Sequence, residues 1–497
     1  MAILLSLVVI LAWSGLVAKL HPPVAQEVIA KQPPPIFTTV KTPLLESKAL
    51  AEDTVWEKIS LENREIIFGL PSASIKEIIF KDYQNHKFSL VKGLWLKDST
   101  LNFKVKQLGT APTFIYEDKE KRILKEFYLH NSNYSIGLDI KIQNLSPGPL
   151  NIDYPLILSY VDLNKGQLES SFQQVVLQSK EKLSRLNLRS DFDSSADLQF
   201  LAVKDRYFTA IIEPTVTGFH GFIRKISQKE TEIGLGYNSV ILPGQELKLN
   251  FLIYIGPQQL QTLAAIKKDW IQVIYYGTFD PISRFLLKLL EFFQRVVRNW
   301  GVAIILLSLL VYFTLFPLTL KQMRSMKHMQ ELQPKIENLK QQYKDNPQRL
   351  NKEIMELYKK EKVNPFSGCI PLLLQIPIFF ALYQALIRSI ALKGAHFLWI
   401  KDLSEPDRLI LFSRSLPLIG SELNILPILM AGLMFLQQKF SAVSAAGTSQ
   451  EQQKLMMILF PILFGFIFYH MSSGLVLYWF VNTLLMFVYQ AKIKLQT

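Results

Sequence analysis

The sequence predicts a multi-span α-helical membrane protein with a periplasmic all-β sandwich domain and a cytoplasmic helical hairpin. Three patterns support this fold class: apolar runs of span length, a period-two region at 55–270, and a basic loop at 321–368. The run 301–320 contains no charged side chain, and as a helix it is long enough to cross ~30 Å of hydrocarbon. Lys and Arg outnumber Asp and Glu in the loop that follows, which favours a cytoplasmic location.

The net charge of the chain is +14 over 497 residues, which by itself is compatible with nucleic-acid binding. The basic residues concentrate beside apolar runs, however, where they orient a membrane protein and meet anionic lipid. We therefore expect no direct recognition of nucleic acid. The lone cysteine, Cys369, excludes an internal disulfide and a multi-cysteine metal site, and we expect no cofactor.

The first element is an apolar run at residues 1–19. A cleaved signal peptide and a retained transmembrane anchor are both open interpretations. The sequence Ala18-Lys19-Leu20 is a poor cleavage site, which favours the anchor. Residues 20–54 are rich in proline and indicate a flexible linker. Either interpretation places the next domain outside the cytoplasm.

The region 55–270 shows the period of β-strands. Apolar residues at every second position of 134–142 alternate with polar or small ones, and 247–255 repeats the pattern before Gly256-Pro257. Such alternation predicts half-buried strands. Several of them in about 200 residues predict an antiparallel sandwich. We expect it to be a spacer or a contact surface for partner proteins.

Residues 280–298 predict an amphipathic helix that begins at Asp280-Pro281. Its polar residues recur every three or four positions, and apolar residues fill the other face. The helix could pack on the sandwich. Its cationic stripe and its position before a span favour the membrane interface.

Residues 299–497 predict five spans, which with the N-terminal run make six. Later apolar runs lie at 423–436, 455–471 and 474–489. The other span of the five begins near Cys369, and prolines shorten its reach. The run 455–471 is only just long enough to cross a bilayer. Short spans imply local thinning or snorkelling ends. We expect both termini in the cytoplasm.

The loop 321–368 predicts a helical hairpin. Two apolar stripes, one ending at Leu339 and one from Leu350 to Tyr358, flank the turn Asp345-Asn346-Pro347. A solvated loop held by ion pairs and a docking arm for a partner are both open. The basic residues that would recruit a partner are Lys327, Lys335, Lys340, Arg349, Lys359 and Lys360.

The chain contains no Walker loop, nucleophile elbow or HExxH motif. We therefore expect a protein that is not an enzyme. Polar residues inside spans keep a small-solute transporter or channel open as an alternative. A membrane-anchored carbohydrate-processing enzyme is a third hypothesis, motivated only by the sandwich.

An ordered series of motifs resembles the YidC-type membrane protein insertases (the YidC/Oxa/Alb family), in the Gram-negative form with a large periplasmic domain. The motifs include Phe316-Pro317-Leu318-Thr319, Gln375-Ile376-Pro377-Ile378-Phe379 and Ser473-Gly474-Leu475 through Trp479. The resemblance is strong from Asp280 onward and weaker through the sandwich, where Arg206-Tyr207-Phe208 contributes.

The resemblance implies a five-helix insertase core with a polar groove open to the cytoplasm and to lipid. Such a protein inserts and helps to fold nascent membrane proteins in the bacterial inner membrane, alone or with the Sec translocon. Polar groups halfway across the membrane lower the cost of moving polar segments through hydrocarbon. The implied partners are nascent membrane proteins, the Sec translocon with its accessory subunits, the ribosome and the phospholipid bilayer.

The resemblance also suggests the residues of the groove, with one departure. Tyr312 stands where the family pattern has an arginine, whereas Ser308 and Gln375 keep the expected hydroxyl and amide. Three aromatic residues match positions that face the substrate: Phe379, Tyr478 and Trp479. Arg388 is a candidate charge for the groove or a snorkelling anchor at the interface. The sequence thus predicts a groove that is polar without being strongly cationic.

Overall fold

The computed structural model describes residues 53–496 except 132, 164–166, 181, 187, 195–196, 345, 362–369, 417–419 and 441–449. The predicted N-terminal anchor and nearly all of the proline-rich linker lie outside the described residues. So do Cys369 and the last part of the predicted hairpin loop.

The first half of the described chain is a β domain. Its strands in chain order are β1 (Val55–Ser60), β2 (Arg64–Leu70), β3 (Ser74–Phe80), β4 (His86–Gly93), β5 (Trp95–Leu96), β6 (Lys104–Gln107), β7 (Thr113–Glu117), β8 (Lys121–Leu129), β9 (Ser135–Asn144), β10 (Leu150–Ile152), β11 (Leu156–Asp162), β12 (Gln174–Ser179), β13 (Leu183–Leu186), β14 (Phe192–Asp193), β15 (Leu198–Lys204), β16 (Phe208–Pro214), β17 (His220–Lys225), β18 (Glu230–Gly236), β19 (Ser239–Ile241) and β20 (Glu246–Pro257). Two short helices accompany them: α1 (Gln167–Phe172) and α2 (Leu260–Ile266).

The strands form sheets with antiparallel pairing. The nine-stranded sheet has the order β13-β12-β15-β16-β20-β9-β8-β7-β6, and a five-stranded sheet has the order β14-β17-β18-β11-β5. Strands β1 to β4 form a four-stranded sheet, and β10 pairs with β19. One continuous apolar core runs between these sheets. The prediction of a β-rich domain is confirmed.

The period-two pattern explains the register of the central strands. In β9 the residues Ile136, Leu138 and Ile140 are buried, and their intervening neighbours are half-buried. They pair with β20 so that Leu138 lies opposite Phe251 and Ile140 opposite Leu249. A slip by one residue would turn this apolar set away from the core, so the pattern fixes the pairing.

The second half of the described chain is mainly helical. The helices are α3 (Asp280–Val297), α4 (Trp300–Glu331), α5 (Gln333–Gln342), α6 (Pro347–Lys360), α7 (Ile370–Arg388), α8 (Ile425–Phe440), α9 (Gln450–Phe468) and α10 (Ser473–Gln496). A hairpin of β21 (Ile410–Leu416) and β22 (Gly420–Leu423) lies between α7 and α8. Residues from α3, α4 and α7 to α10 share a second apolar core.

Two described helices are long and apolar enough to cross a bilayer, over 300–329 and 473–492. Shorter apolar helices lie at 425–439 and 457–468. The predicted count of six spans is not confirmed by these helices and stays a prediction.

Helix α3 has three distinct faces. One face is buried against the helical core, where the Ser283 hydroxyl donates a hydrogen bond of 2.8 Å to the carbonyl oxygen of Ala381. A second face exposes the apolar side chains of Phe285, Phe292 and Val296. The exposed Lys288 lies on a third, polar face. A helix that packs on protein and still presents separate apolar and basic faces is suited to the membrane interface.

Helices α5 and α6 form an antiparallel pair with an apolar core of their own. Its buried members are Met329, Leu332, Ile336, Ile354 and Tyr358. Asn346 caps α6, because its side-chain oxygen accepts a hydrogen bond of 3.0 Å from the backbone N–H of Arg349. None of these buried residues belongs to the main helical core.

Candidate functional site

The centre of the candidate site is a polar contact inside the apolar helical core. Gln375 on α7 donates a hydrogen bond of 2.9 Å from its Nε2 to the hydroxyl of Tyr478 on α10. Tyr478 is fully buried. Gln375 is half-buried. A buried hydroxyl and a half-buried amide inside an apolar core require partners, so this pair satisfies two polar groups that the surrounding apolar side chains cannot. Two predicted site residues, 103 positions apart, are thereby brought together.

Ser308 and Tyr312 lie one turn apart on α4. The Ser308 hydroxyl is buried and donates a hydrogen bond of 2.8 Å to the carbonyl oxygen of Ile304 in its own helix. The Tyr312 hydroxyl lies 3.4 Å from the carbonyl oxygen of Leu485 on α10, which is a long hydrogen bond. Tyr312 thus links two helices, and in this state both hydroxyl groups are directed at protein carbonyls.

Aromatic side chains form one wall of the site. The rings of Phe379 and Trp479 meet edge to face with centroids 5.0 Å apart. Phe468 and Phe464 on α9 extend this cluster, since both rings contact Trp479. Phe379 and Trp479 therefore contact each other as well as α9, and the wall joins three helices.

Two further polar residues on α10 were missed by the sequence reasoning. The Asn482 amide donates to the carbonyl oxygen of Tyr478, and the Thr483 hydroxyl donates to that of Trp479, each at 2.9 Å. Asn482 and Thr483 each lie one helical turn after the residue to which they donate. The sequence does contain a signal for Asn482: it is an asparagine inside an apolar helix, and polar residues in membrane spans are costly and mark functional positions.

Proline adds backbone polarity to the same helices. Pro317 lies inside α4, Pro377 inside α7 and Pro461 inside α9. A proline within a helix cannot donate to the carbonyl four residues earlier, which leaves that oxygen without its helical partner. Each of these helices therefore offers an acceptor along its length.

Arg388 lies far from the polar pair. It is 13 residues from Gln375 on the same helix, which corresponds to about 20 Å. Its guanidinium lies over the ring of Phe172 in the β domain, 5.1 Å from the centroid. The structure thus places this side chain at the junction with the β domain, away from Gln375.

The junction itself is organised by Arg206, which the sequence reasoning did not single out as a site residue. The side chain is only 5% exposed. Its Nε donates to the carbonyl oxygen of Ile387 at 2.7 Å, and its Nη2 donates to that of Ser404 at 3.2 Å. Nη1 lies 3.4 Å from a carboxylate oxygen of Glu405. One β-domain arginine therefore binds the end of α7 and the segment beyond it.

A further set of hydrogen bonds joins helices and loops at the end of the helical core that meets the β domain. A carboxylate oxygen of Asp407 accepts from the indole N–H of Trp399 at 3.1 Å and from the backbone N–H of Ile425, at the start of α8, at 2.9 Å. The backbone N–H groups of Ser473 and Gly474, at the start of α10, donate to the carbonyl oxygens of Glu405 and Leu403. Two helix N-termini are thus bound to one connector.

The predicted recruiting residues lie on the separate helical pair, except Lys327, which lies near the end of α4. Lys335 forms an ion pair with Glu361, with 2.6 Å between nitrogen and oxygen, and this contact lowers the pKa of the Glu361 carboxyl. Arg349 lies 3.9 Å from Glu353 one turn away. The side chains of Lys327, Lys359 and Lys360 are exposed. Both open interpretations, ion-paired loop and docking arm, remain compatible with this surface.

Among the residues that the structure describes, no group of three or more His, Cys, Asp and Glu side chains could hold a metal ion. What the site offers is hydrogen-bonding groups inside an apolar core, next to helices with exposed apolar faces. Such an arrangement, joined to a large β domain, defines a class of helical membrane protein with an extramembrane domain.

Comparison with known proteins identifies the family. Residues 292–497 match the family described as 60Kd inner membrane protein, and residues 79–289 match the YidC periplasmic domain. A membrane protein insertase YidC of Syntrophobacter fumaroxidans is 35% identical over 410 residues, covering 76% of this chain and 73% of the relative. One from Aeromonas salmonicida is 35% identical over 390 residues, covering 75% and 68%. The chain belongs to the YidC family of membrane protein insertases.

Solved structures are similar at lower identity. A crystal structure of an active YidC insertase with its first transmembrane domain resolved is 18% identical, with a TM-score of 0.40, and covers 88% of this chain and 94% of that one. A putative aldose 1-epimerase from Escherichia coli K12 is 9% identical, with a TM-score of 0.31, and covers 41% and 99%.

Proposed function

We propose that this protein is an insertase and chaperone that places nascent membrane proteins in the bacterial inner membrane. Membership of the YidC family, at 35% identity over about three quarters of both chains, carries the proposal. The relatives are named as insertases, so a solute transporter and a carbohydrate-processing enzyme lose their support. Burial of the substrate's own apolar segment in lipid supplies the driving force without nucleotide hydrolysis.

The polar residues of α4, α7 and α10 are the proposed route of the substrate. Gln375 and Tyr478 supply an amide and a hydroxyl within the apolar core, and Ser308 and Tyr312 lie on the neighbouring helix. In this mechanism an incoming polar segment replaces these internal hydrogen bonds with its own. The exchange costs less than leaving the segment unpaired in hydrocarbon. Tyr312 provides a neutral hydroxyl in place of a fixed cation.

We further propose that the α5–α6 pair lies in the cytoplasm, together with the rest of the basic loop 321–368. Helix α4 begins at the junction end, where a Cβ on Gly301 would collide with the ring of Phe397. It contains 32 residues and is therefore about 48 Å long, more than the ~30 Å of hydrocarbon. Its far end, where the pair starts, would emerge on the face opposite the β domain. Six spans and two cytoplasmic termini complete this proposed topology.

The Sec translocon and the ribosome are proposed partners on the two sides of the membrane. The β domain offers a large surface on the periplasmic side. The exposed basic residues of the α5–α6 pair offer a surface of the opposite sign to ribosomal RNA and anionic lipid.

Insertion of a small two-span substrate tests the proposed function. We expect vesicles that contain the purified protein to insert the substrate, and vesicles without it to fail. Crosslinkers at Ser308, Tyr312, Gln375 and Tyr478 should capture a stalled nascent chain, and one at the lipid-facing Ile462 is the control position. Equal insertion with and without the protein would refute the function. Insertion without crosslinks would refute only the route.

A further inference from the structure

The segment that joins α7 to α8 has an apolar surface that the proposed function does not use. Residues 389–424, here called the outer connector, lie at the β-domain end of the core, because Arg206 binds the carbonyl oxygen of Ser404 within it. Part of the connector faces inward, and Ile400 and Leu403 are buried. The other part is exposed, although the β domain sits beside it.

The exposed part is strongly apolar. Leu398 is 76% exposed and Leu411 is 67% exposed, and three more apolar residues are exposed with them: Trp399, Leu409 and Ile410. We call these five residues the outer patch. Three of them are consecutive in sequence, so both faces of this strand region are uncovered. A protein surface in water rarely presents such a run without a function. The hairpin β21–β22 has only two strands, which are marginally stable in water without a packing partner.

The outer patch lies at the level where α8 enters the core. The backbone N–H of Leu409 donates to the carbonyl oxygen of Leu423, two residues before α8 starts. Asp407 holds Trp399 beside the start of α8, since one of its carboxylate oxygens accepts from both the indole N–H of Trp399 and the backbone N–H of Ile425. In the first turns of α8, Ile428 and Leu429 are exposed apolar residues. The outer patch thus extends the exposed apolar surface of α8 toward the β domain.

We propose that the outer patch inserts into the headgroup and acyl-chain boundary of the periplasmic leaflet and anchors the outer connector there. Trp399 fits this depth, because its N–H is already bound to Asp407 while its ring is partly exposed. The anchor fixes the depth of the α7 and α8 ends and, through α7, the depth of Gln375. The exposed apolar face of α3 is available to the same leaflet. The proposal rests on the topology given under the proposed function.

Fluorescence of the full-length protein in vesicles tests the anchor. A Cys369→Ser background allows one environment-sensitive probe to be placed at position 411 through Leu411→Cys. The control probe replaces Val240, which is 58% exposed on the β domain. We expect blue-shifted emission at 411 and severalfold stronger quenching by lipids with a nitroxide near the headgroup than by lipids with one at the chain end. Iodide in the buffer should quench the probe at 240 severalfold more than the probe at 411.

Equal iodide quenching at both positions would overturn the proposal and would point to a protein partner absent from the vesicles. Stronger quenching by the deep nitroxide would also overturn it, because the patch would then lie within the span region. Thermal unfolding of both labelled proteins checks that each is folded. Insertion of a two-span substrate by the same vesicles separates the two proposals, since an inactive protein with a lipid-embedded probe would refute the proposed function alone.

Discussion

The two ends of the helical core are built differently. At the end that meets the β domain, buried polar side chains bind helix termini and connectors: Arg206 joins the β domain to α7, and Asp407 joins Trp399 to α8. At the other end, α5 and α6 pack around five buried residues that belong to neither of the two larger cores. The first end is fixed by contacts distant in sequence, and the second is a small autonomous unit. This difference suits a machine that is closed on one side and receives its substrate on the other.

The largest expected effect comes from removing the autonomous unit. Replacing residues 333–360 with a short Gly-Ser linker should abolish ribosome co-sedimentation, because five of the six predicted recruiting residues are removed and Lys327 alone stays. The free energy of unfolding of the remaining core should change by less than about 1 kcal/mol, since the small cluster shares no buried residue with it.

A charge-only variant is the matched control for this deletion. It keeps the helices and replaces with Gln the five predicted recruiting residues that the deletion removes: Lys335, Lys340, Arg349, Lys359 and Lys360. If charge recruits the ribosome, binding should fall as it does in the deletion. Retained ribosome binding in the deletion would contradict the proposed role of the pair, and an unfolded core would contradict its autonomy.

The next largest effect concerns the fixed end. Arg206→Ala removes a buried side chain that contacts Ile387, Ser404 and Glu405, and it should weaken the junction by roughly 2–4 kcal/mol. Spin labels at Lys225 on the β domain and Lys401 on the core, in the Cys369→Ser background, should then show a broadened distance distribution. Arg408→Ala removes the same charge from a side chain that is 45% exposed and should leave the distribution narrow. Equal distributions in both variants would show that Arg206 does not hold the domains together.

A smaller, pH-dependent effect comes from a buried lysine next to the junction. Burial, assisted by the charges of Arg388 and Arg185, lowers the pKa of Lys204 from 10.5 to about 7. Between these values the unfolded chain binds a proton that the folded chain has released. The stability of the β domain should therefore rise with pH, by at most about 1.4 kcal/mol per pH unit from this group.

Thermal unfolding of the full chain at pH 7 and pH 9, followed by β-sheet circular dichroism, measures this slope. Lys204→Met should reduce the gain in stability between the two values. Burial lowers the pKa of Lys125 to about 7 as well, so part of the slope should persist. The exposed Lys248 provides the control substitution, Lys248→Met. An unchanged slope in Lys204→Met would show that this amine does not titrate on unfolding.

The smallest expected effect lies between the two ends, at the polar pair. Tyr478→Phe removes the hydroxyl that accepts from Gln375 and should destabilise the core by about 1 kcal/mol. Gln375→Met removes the amide while keeping a similar length. Because the two groups satisfy each other, the double variant should cost less than the sum of the single changes, with a coupling energy near 1 kcal/mol. Additive losses of stability would mean that the contact does not form in the membrane.

Most of the local structure follows from the order of the amino acids alone. The alternation at 134–142 predicted β9, which runs from Ser135 to Asn144. Asp280-Pro281 predicted the start of α3, although Asp280 is the first helical residue and does not cap the helix; its carboxylate accepts from the backbone N–H of Tyr276. Asp345-Asn346-Pro347 predicted the turn before α6, where Asn346 is the helix cap. These features depend on neighbours within a few residues, so periodicity and capping residues are enough to place them. The motif series also identified the family.

The directions of the functional side chains depend instead on contacts between distant segments. The core helices are apolar on most sides, so their sequences do not reveal which face is turned inward. The fold paired Gln375 with Tyr478, directed the Ser308 hydroxyl to its own helix, and placed Arg388 against Phe172 of the β domain. Arg206, drawn from the β domain, became the residue that joins the two halves. The contacts of Gln375, Arg388 and Arg206 form between segments about 100 or more residues apart, and no local pattern encodes them.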